Sequence, residues 1–209
     1  MTQALPDEEL RPALEALAAV DRDLAEAYRR CGLPPLRSSP TGFPGLIRIM
    51  IGQQVSTASA AAIIARLEAA CTPLSAESFL TLDDQALRAV GFSRQKIRFG
   101  RALAEAIAVG RLDIDGLPAL DDERAVAALL EVPGIGPWTA DIYMLFALRR
   151  PDVWPVGDLA VVKAVQAVKG LEARPSRQEM HRLGEAWRPH RSAAARLFWH
   201  YYRHVGVAL

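Results

Sequence analysis

The sequence predicts an all-α fold. Three observations carry that expectation. Ala and Leu dominate almost every segment, capping residues recur before apolar runs at helix-length intervals, and sustained alternation of period two is scarce. The 209 residues are 51% hydrophobic and 23% charged, which suits one globular unit, with two lobes on a shared core as the variant. A chain of this size buries most of its apolar surface without disulfides or metals.

The elements follow in order. Residues 7–30 are expected as a first helix, stopped by Cys31-Gly32 and the Pro34-Pro35 pair, so residues 1–40 amount to a helix and a loop. Residues 44–69 are expected as one long helix with Leu46, Ile47, Met50, Ile51, Val55 and Ala58 on a single stripe. Thr81-x-x-Asp84 predicts the start of a short helix that Gly91 closes. Ser93 caps a helix running to about Val109, and Asp121 caps another ending at Glu131. Pro137 takes the favoured first position of the next, which runs to about Leu148. Residues 149–157 hold two prolines and read as a loop. Helices are expected at 159–168, 176–187 and 189–205, with the capping box Ser176-x-x-Glu179 and Pro189 marking two starts. There is no internal repeat, low-complexity tract or long linker.

Composition excludes several classes. Cys31 and Cys71 are far apart and form no Cys-x-x-Cys pair, so neither a zinc finger, an iron–sulfur cluster nor a disulfide framework is readable. Two reduced thiols suit a cytoplasmic protein. The acidic start (Asp7, Glu8, Glu9) has no apolar signal region, and no apolar run is long enough to span a bilayer. The net charge of +1 does not suggest a non-specific DNA binder, but the charge is unevenly spread. Residues 1–30 hold seven acids against four basic residues, whereas residues 86–112 hold six basic residues against Glu105 alone. From Ala147 onward eleven basic residues face five acids. That pattern fits one polyanion-facing surface, and it equally fits ordinary solvated helix faces.

The sharpest local signal is Leu129-Leu130-Glu131-Val132-Pro133-Gly134-Ile135-Gly136-Pro137-Trp138-Thr139-Ala140. One helix ends and the next begins within a few residues, giving a hairpin over about 122–148. Gly134 and Gly136 leave the backbone bare for the close approach of a phosphate. The second helix offers unpaired N–H groups and the positive end of its dipole. Pro137 removes one donor, so Gly134, Gly136, Trp138 and Thr139 must supply them, while Ile135 can pack beneath the turn. A ligand-free αα-corner would use the same residues.

This stretch resembles the helix-hairpin-helix element of the HhH-GPD DNA glycosylase superfamily, which carries a downstream aspartate after a Pro-containing loop. Here Val156-Gly157-Asp158-Leu159-Ala160-Val161 takes that place. Three further segments resemble the AlkA-type 3-methyladenine DNA glycosylase II branch: Ile51-Gly52-Gln53-Gln54-Val55-Ser56, Gly91-Phe92-Ser93-Arg94-Gln95-Lys96, and Trp187-Arg188-Pro189-His190-Arg191-Ser192 through Trp199-His200-Tyr201. The resemblance runs from about Gly42 to Tyr202.

The resemblance implies a two-lobed fold with an active cleft between the lobes, in a compact form without the mixed α/β domain that precedes the core in longer members. It implies base excision from damaged duplex DNA, with alkylated purines of the 3-methyladenine and 7-methylguanine type as substrates. A carboxylate at Asp158 would stabilise positive charge developing on the sugar and orient or deprotonate the attacking water. Asp158 also reads as a helix N-cap, and both roles are compatible. Trp138 stands where bifunctional members carry a Schiff-base lysine, which implies a monofunctional hydrolase. Gln54 would fill the gap left by the extruded base, with Gln53 as a groove contact. Trp138 and Trp199 match base-pocket positions, and an electron-poor or cationic alkylated base suits their faces. Tyr143 and Phe146 serve equally as pocket walls or core, Trp187 reads as core, and Ile142 stands where the family's pocket tyrosine would fall. Lys163 is a candidate phosphate contact or a solvated residue. His200 and His204 have i, i+4 spacing without a third ligand and read as ordinary surface or core residues. No cofactor is expected beyond a Na or K ion on the carbonyls of Leu130, Val132 and Ile135, and the expected form is a monomer on double-stranded DNA, away from membranes. Two other readings stay open: a glycosylase for deaminated or oxidised bases, and a non-enzymatic module that binds lesioned DNA through the hairpin.

Overall fold

The computed structural model describes residues 10–205, and every regular element among them is helical. Residues 7–9, where the first predicted helix would begin and the acidic run lies, are outside the described residues. Twelve α-helices are described, α1 Leu10–Val20, α2 Arg22–Cys31, α3 Gly42–Gly52, α4 Thr57–Ala70, α5 Ala76–Thr81, α6 Asp84–Val90, α7 Arg94–Ala108, α8 Asp122–Leu130, α9 Pro137–Phe146, α10 Leu159–Val168, α11 Arg177–Glu185 and α12 Arg191–Val205, with one 3-10 turn at Leu117–Ala119. None of the described helices is long and apolar enough to cross a membrane. The chain divides into two compact units, one formed by Ser39–Tyr143 and the other by residues 10–38 with 144–205.

Most helix starts stand where the capping residues put them. Ser93, Asp121, Asp158 and Ser176 each accept a backbone N–H of the following first turn, and Ser176 completes the capping box with Glu179. Gly91 ends α6 in the left-handed region at φ 113°. Three expectations are corrected. The helix predicted over residues 7–30 is two helices, because Asp21 leaves helical geometry and caps α2 through the N–H groups of Asp23 and Leu24. The helix predicted over 44–69 is α3 and α4, separated by a turn in which Gln54 takes φ 56°. Leu46, Ile47, Met50 and Ile51 keep their buried stripe, while Val55 and Ala58 are exposed beyond the break. The Thr81 start is displaced to Asp83, which caps α6, while Thr81 itself ends α5.

In the unit formed by Ser39–Tyr143, α3 lies against α4 and α7, and α5 against α7. Its core gathers Phe43, Leu46, Ile47, Phe79, Leu87, Leu103 and Tyr143, all at 4% exposure or less. In the other unit α10 and α12 form the central pair, and α1 and α2 pack on them. Trp187 is 1% exposed and meets Trp154 edge-on at 4.9 Å, with Phe198 beside both. Its indole N–H donates to Asp21 at 2.8 Å, so the residue that breaks the first helix also closes this core.

Candidate active site

Asp158 sits at the end of a connection that is irregular yet buried. Val153, Trp154, Val156 and Asp158 are each 5–8% exposed. Loops of this kind are held only if their polar groups find partners. Here the Val153 N–H donates to Ser192 Oγ at 2.9 Å, Ser192 Oγ donates to the Arg150 carbonyl, and the Trp154 indole N–H donates to the Met180 carbonyl at 2.8 Å. Asp152 receives Arg188 and Arg191 at 2.7 and 2.8 Å. The Asp158 carboxylate is thus delivered from a fixed frame. Its Oδ1 accepts the Val161 N–H at 3.0 Å, capping α10, and the Trp199 indole N–H at 2.9 Å. The predicted cap is observed, and capping spends acceptor capacity without spending the charge of the carboxylate.

Trp199 is half-buried on α12, and its ring lies 5.4 Å from Phe146. A groove beside it is lined by Arg37, Phe146, Arg196, His200 and Arg203 together with Pro34 and Pro35. Phe146 carries the Arg196 guanidinium over its ring at 5.4 Å. Tyr143 does not join the aromatic surface around Trp199. It is fully buried, its hydroxyl accepts the Gly42 N–H at 2.8 Å, and it belongs to the core of the Ser39–Tyr143 unit. A sealed ring offers no face to an incoming base, so the core alternative describes it.

The hairpin joins α8 to α9. The turn is closed by Val132 N–H to Leu129 carbonyl at 3.2 Å and Ile135 N–H to Val132 carbonyl at 3.0 Å. Val132 and Ile135 are 4% and 5% exposed, so both fill the space beneath the turn. The two glycines differ. Gly134 has φ 94°, and a Cβ there would fall 2.3 Å from Phe99 Cγ, so its bareness serves packing against α7. Gly136 has open space where a Cβ would be. Trp138 is partly exposed in the first turn of α9, whereas Thr139 is 2% exposed.

Two of the predicted contact residues have internal partners. Gln53 does not point freely: its Nε2 donates to Thr139 Oγ1 at 2.9 Å. Gln53 and Gln54 lie in the turn between α3 and α4, not on a helix, and Gln54 is exposed at its tip. Lys163 is only 9% exposed, which suits neither a solvated residue nor a phosphate contact. Many basic residues that weighted the charge count are also spent internally. Arg101 pairs with Asp84 at 2.8 Å, and Lys169 with Asp21 at 2.7 Å, besides the Asp152 pairs. His200 Nε2 lies 2.8 Å from the Cys31 carbonyl, and among the described residues no group of three His, Cys, Asp or Glu could hold a metal.

The structure thus joins Asp158 with Trp199 in one unit, and Gln53 and Thr139 with the hairpin in the other. Sequence reasoning missed Phe99, which fills the space under Gly134, and Lys96, whose ammonium reaches the carbonyls of Ile51 and Gln53. A signal for Lys96 exists. It is a cation in the first turn of α7, where the helix dipole disfavours it, so a partner elsewhere is called for.

Comparison with known proteins gives one consistent result. The family model described as HhH-GPD superfamily base excision DNA repair protein matches residues 47–189. DNA-3-methyladenine glycosylase 1 of Schizosaccharomyces pombe is 30% identical over 164 residues, covering 75% of this chain and 71% of the relative. Against a Bacillus subtilis relative, 32% identical over 59% of this chain, the match spans only 43% of the relative's length. The Schizosaccharomyces pombe 3-methyladenine DNA glycosylase in complex with abasic DNA superposes with a TM-score of 0.83 at 28% identity, covering 90% of this chain and 95% of that one.

Proposed function

The chain belongs to the HhH-GPD superfamily of base excision DNA repair proteins, and from that premise we propose that it is a monofunctional DNA glycosylase for N-alkylated purines. The observation that carries this reading is Asp158, a carboxylate 8% exposed and fixed by Val161 N–H and the Trp199 indole. A base leaves deoxyribose by a largely dissociative route, and the sugar gains positive charge as it goes. A fixed negative charge in a poorly hydrated place stabilises that charge with no reorganisation at the moment of reaction. The same carboxylate oxygen atoms can orient or deprotonate the water that attacks the sugar carbon. Alkylation helps from the other side, since it makes the base a better leaving group.

The remaining residues serve binding. The N–H groups of Gly134, Gly136, Trp138 and Thr139 take a backbone phosphate at the hairpin, as helix N-termini do generally. Thr139 contributes through its backbone N–H, while its hydroxyl, 2% exposed, accepts the Gln53 amide. A Na or K ion would suit the same turn through the carbonyls of Leu130, Val132 and Ile135. Val132 spends one lone pair on the Ile135 N–H and keeps the second. Such an ion would add positive charge near the phosphate. Gln54 enters the duplex behind the extruded base, and Trp138 and Trp199 offer faces to it. Trp138 carries no amine, so no Schiff base forms with the sugar. The partner is damaged double-stranded DNA inside the cell, bound by a monomer.

The test is release of free base from duplexes carrying 7-methylguanine or 3-methyladenine, beside a panel with deaminated and oxidised bases. Release from the alkylated duplexes is expected. DNA affinity with no turnover on any lesion would replace this reading by that of a binding module. Borohydride should trap no covalent DNA adduct, and a trapped adduct would overturn the monofunctional assignment.

A further inference from the structure

We propose that Lys96 is a positioning residue for base extrusion: its ammonium holds the turn that presents Gln54 to the duplex. The inference rests on the reading above that Gln54 fills the gap left by the base.

Lys96 is planted firmly at one end. Its backbone N–H is taken by the Ser93 cap of α7 at 3.2 Å. The side chain then crosses more than forty positions of sequence to the end of α3, where the last carbonyls of a helix lack intrahelical partners. The ammonium donates to the carbonyl of Ile51 and, at 3.1 Å, to that of Gln53. A cation belongs at this end of a helix, just as it does not belong at the start of α7. Partial burial pushes the Lys96 ammonium below the ordinary lysine value, a cost that its two carbonyl partners must offset.

Gln53 is gripped twice. Its carbonyl is held by Lys96, and its side-chain amide is held by Thr139 in the first turn of α9, three residues beyond Gly136. The turn is therefore tied both to α7 and to the helix that carries the phosphate-binding end of the hairpin. Gln54 follows immediately, exposed and at φ 56°. A non-glycine residue holds that left-handed conformation only where its surroundings over-determine it. Lys96 and Thr139 are what over-determine it here. Without Lys96 the turn is free to relax, and Gln54 then enters the duplex from a distribution of directions.

The variants are Lys96→Met, which keeps the stem and removes both bonds, and Lys96→Arg, which keeps the charge and the donors. Single-turnover base release is measured on one alkylated lesion presented two ways: paired in a duplex, and unpaired in a bulge where extrusion costs little. Stopped-flow 2-aminopurine fluorescence beside the lesion follows unstacking. Lys96→Met is expected to lose roughly 10- to 100-fold on the paired lesion, the size of one charged hydrogen bond, and under threefold on the unpaired one. Lys96→Arg should recover most of the loss. Thr139→Val, which releases the other tie, should show the same pattern more weakly. Equal losses on both substrates would overturn the proposal, as would a Lys96→Met protein indistinguishable from wild type or an Arg variant no better than Met. If wild type releases no base from either substrate, the glycosylase reading fails separately. Unstacking on the paired-lesion duplex, which then stays intact, decides the role of Lys96, with the proposal requiring fast wild type and slow Lys96→Met.

Discussion

Replacing Asp158 by Asn removes a negative charge while keeping an acceptor for the Val161 and Trp199 N–H groups. The amide oxygen can still accept the Val161 N–H and the Trp199 indole N–H, now taken by Oδ1 at 3.0 and 2.9 Å. Asn is about as good a helix N-cap as Asp, so the fold should lose under about 1 kcal/mol. The chemical loss is larger. At an effective dielectric of about 20, suited to a carboxylate that is 8% exposed, a full positive charge about 4 Å away is stabilised by roughly 4 kcal/mol. That corresponds to about a thousandfold in rate. The assay is single-turnover release of 7-methylguanine with protein in excess, run beside urea melts of both proteins. A loss under tenfold with matched stability would refute the electrostatic role of Asp158. A large loss accompanied by a large drop in stability would show that the charge of Asp158 supports the fold rather than the chemistry alone, since Asn keeps the cap.

The other expectations concern the anchor and the frame. Gly134→Ala drives a Cβ to 2.3 Å from Phe99 Cγ at φ 94°, and overpacking plus left-handed strain should cost about 2 to 4 kcal/mol in urea melts. A Cβ at Gly136 meets no neighbour within 4 Å, so for Gly136→Asp stability should hold within about 1 kcal/mol while affinity for duplex DNA falls roughly tenfold or more; unchanged affinity would remove the hairpin as the phosphate anchor. Asp21→Asn keeps the cap of α2 but loses the charge facing Lys169, and should cost about 1 to 3 kcal/mol. Burial alone would raise the Asp21 carboxyl, but Lys169, the Trp187 indole and the Leu24 N–H together hold it below the ordinary value. An unfolded Asp titrates near about 3.9, so the Asp21 contribution is complete above that pH and is lost as pH falls through the lower folded value. Melting temperatures of wild type and Asp21→Asn should therefore differ at pH 7 and converge in acid below about pH 4; a constant difference would contradict the ion-pair account.

How far the sequence could be read depended on how local the deciding interaction was. Ser93, Asp121, Asp158 and Ser176 were legible because a cap bonds within three residues of itself. The break at Asp21 was not, since apolar helix formers continue on both sides and the aspartate gains from partners 148 and 166 positions away. The turn at Gln53-Gln54 was hidden for the same reason: neither glutamine is a helix breaker, and what holds the turn is Lys96 and Thr139. At Thr81 the signal was ambiguous, because Thr81, Asp83 and Asp84 all offer cap acceptors and only packing chose among them. In the site, Asp158 and Trp199 were found through separated motifs, and the structure joins them by a direct bond. Tyr143 was left between pocket and core because an aromatic on an apolar helix has the same local pattern in both places. Lys163 gave no hint of burial, since a single lysine in a valine-rich helix also suits an exposed edge.

The division of the chain has a consequence for synthesis. The Ser39–Tyr143 unit is one uninterrupted stretch, whereas the other is assembled from two stretches that flank it. A ribosome therefore completes the former while α1 and α2 still wait for α10 and α12, the helices they pack against. At roughly 5–20 residues per second, residues 144–205 take several seconds to appear. During that interval Leu10, Leu14, Leu17 and Leu24, all at most 2% exposed once folded, have no finished surface to cover them. The nascent segment of α1 and α2 is then an apolar stretch of the kind holdase chaperones bind, and the hairpin is complete before Asp158 is capped.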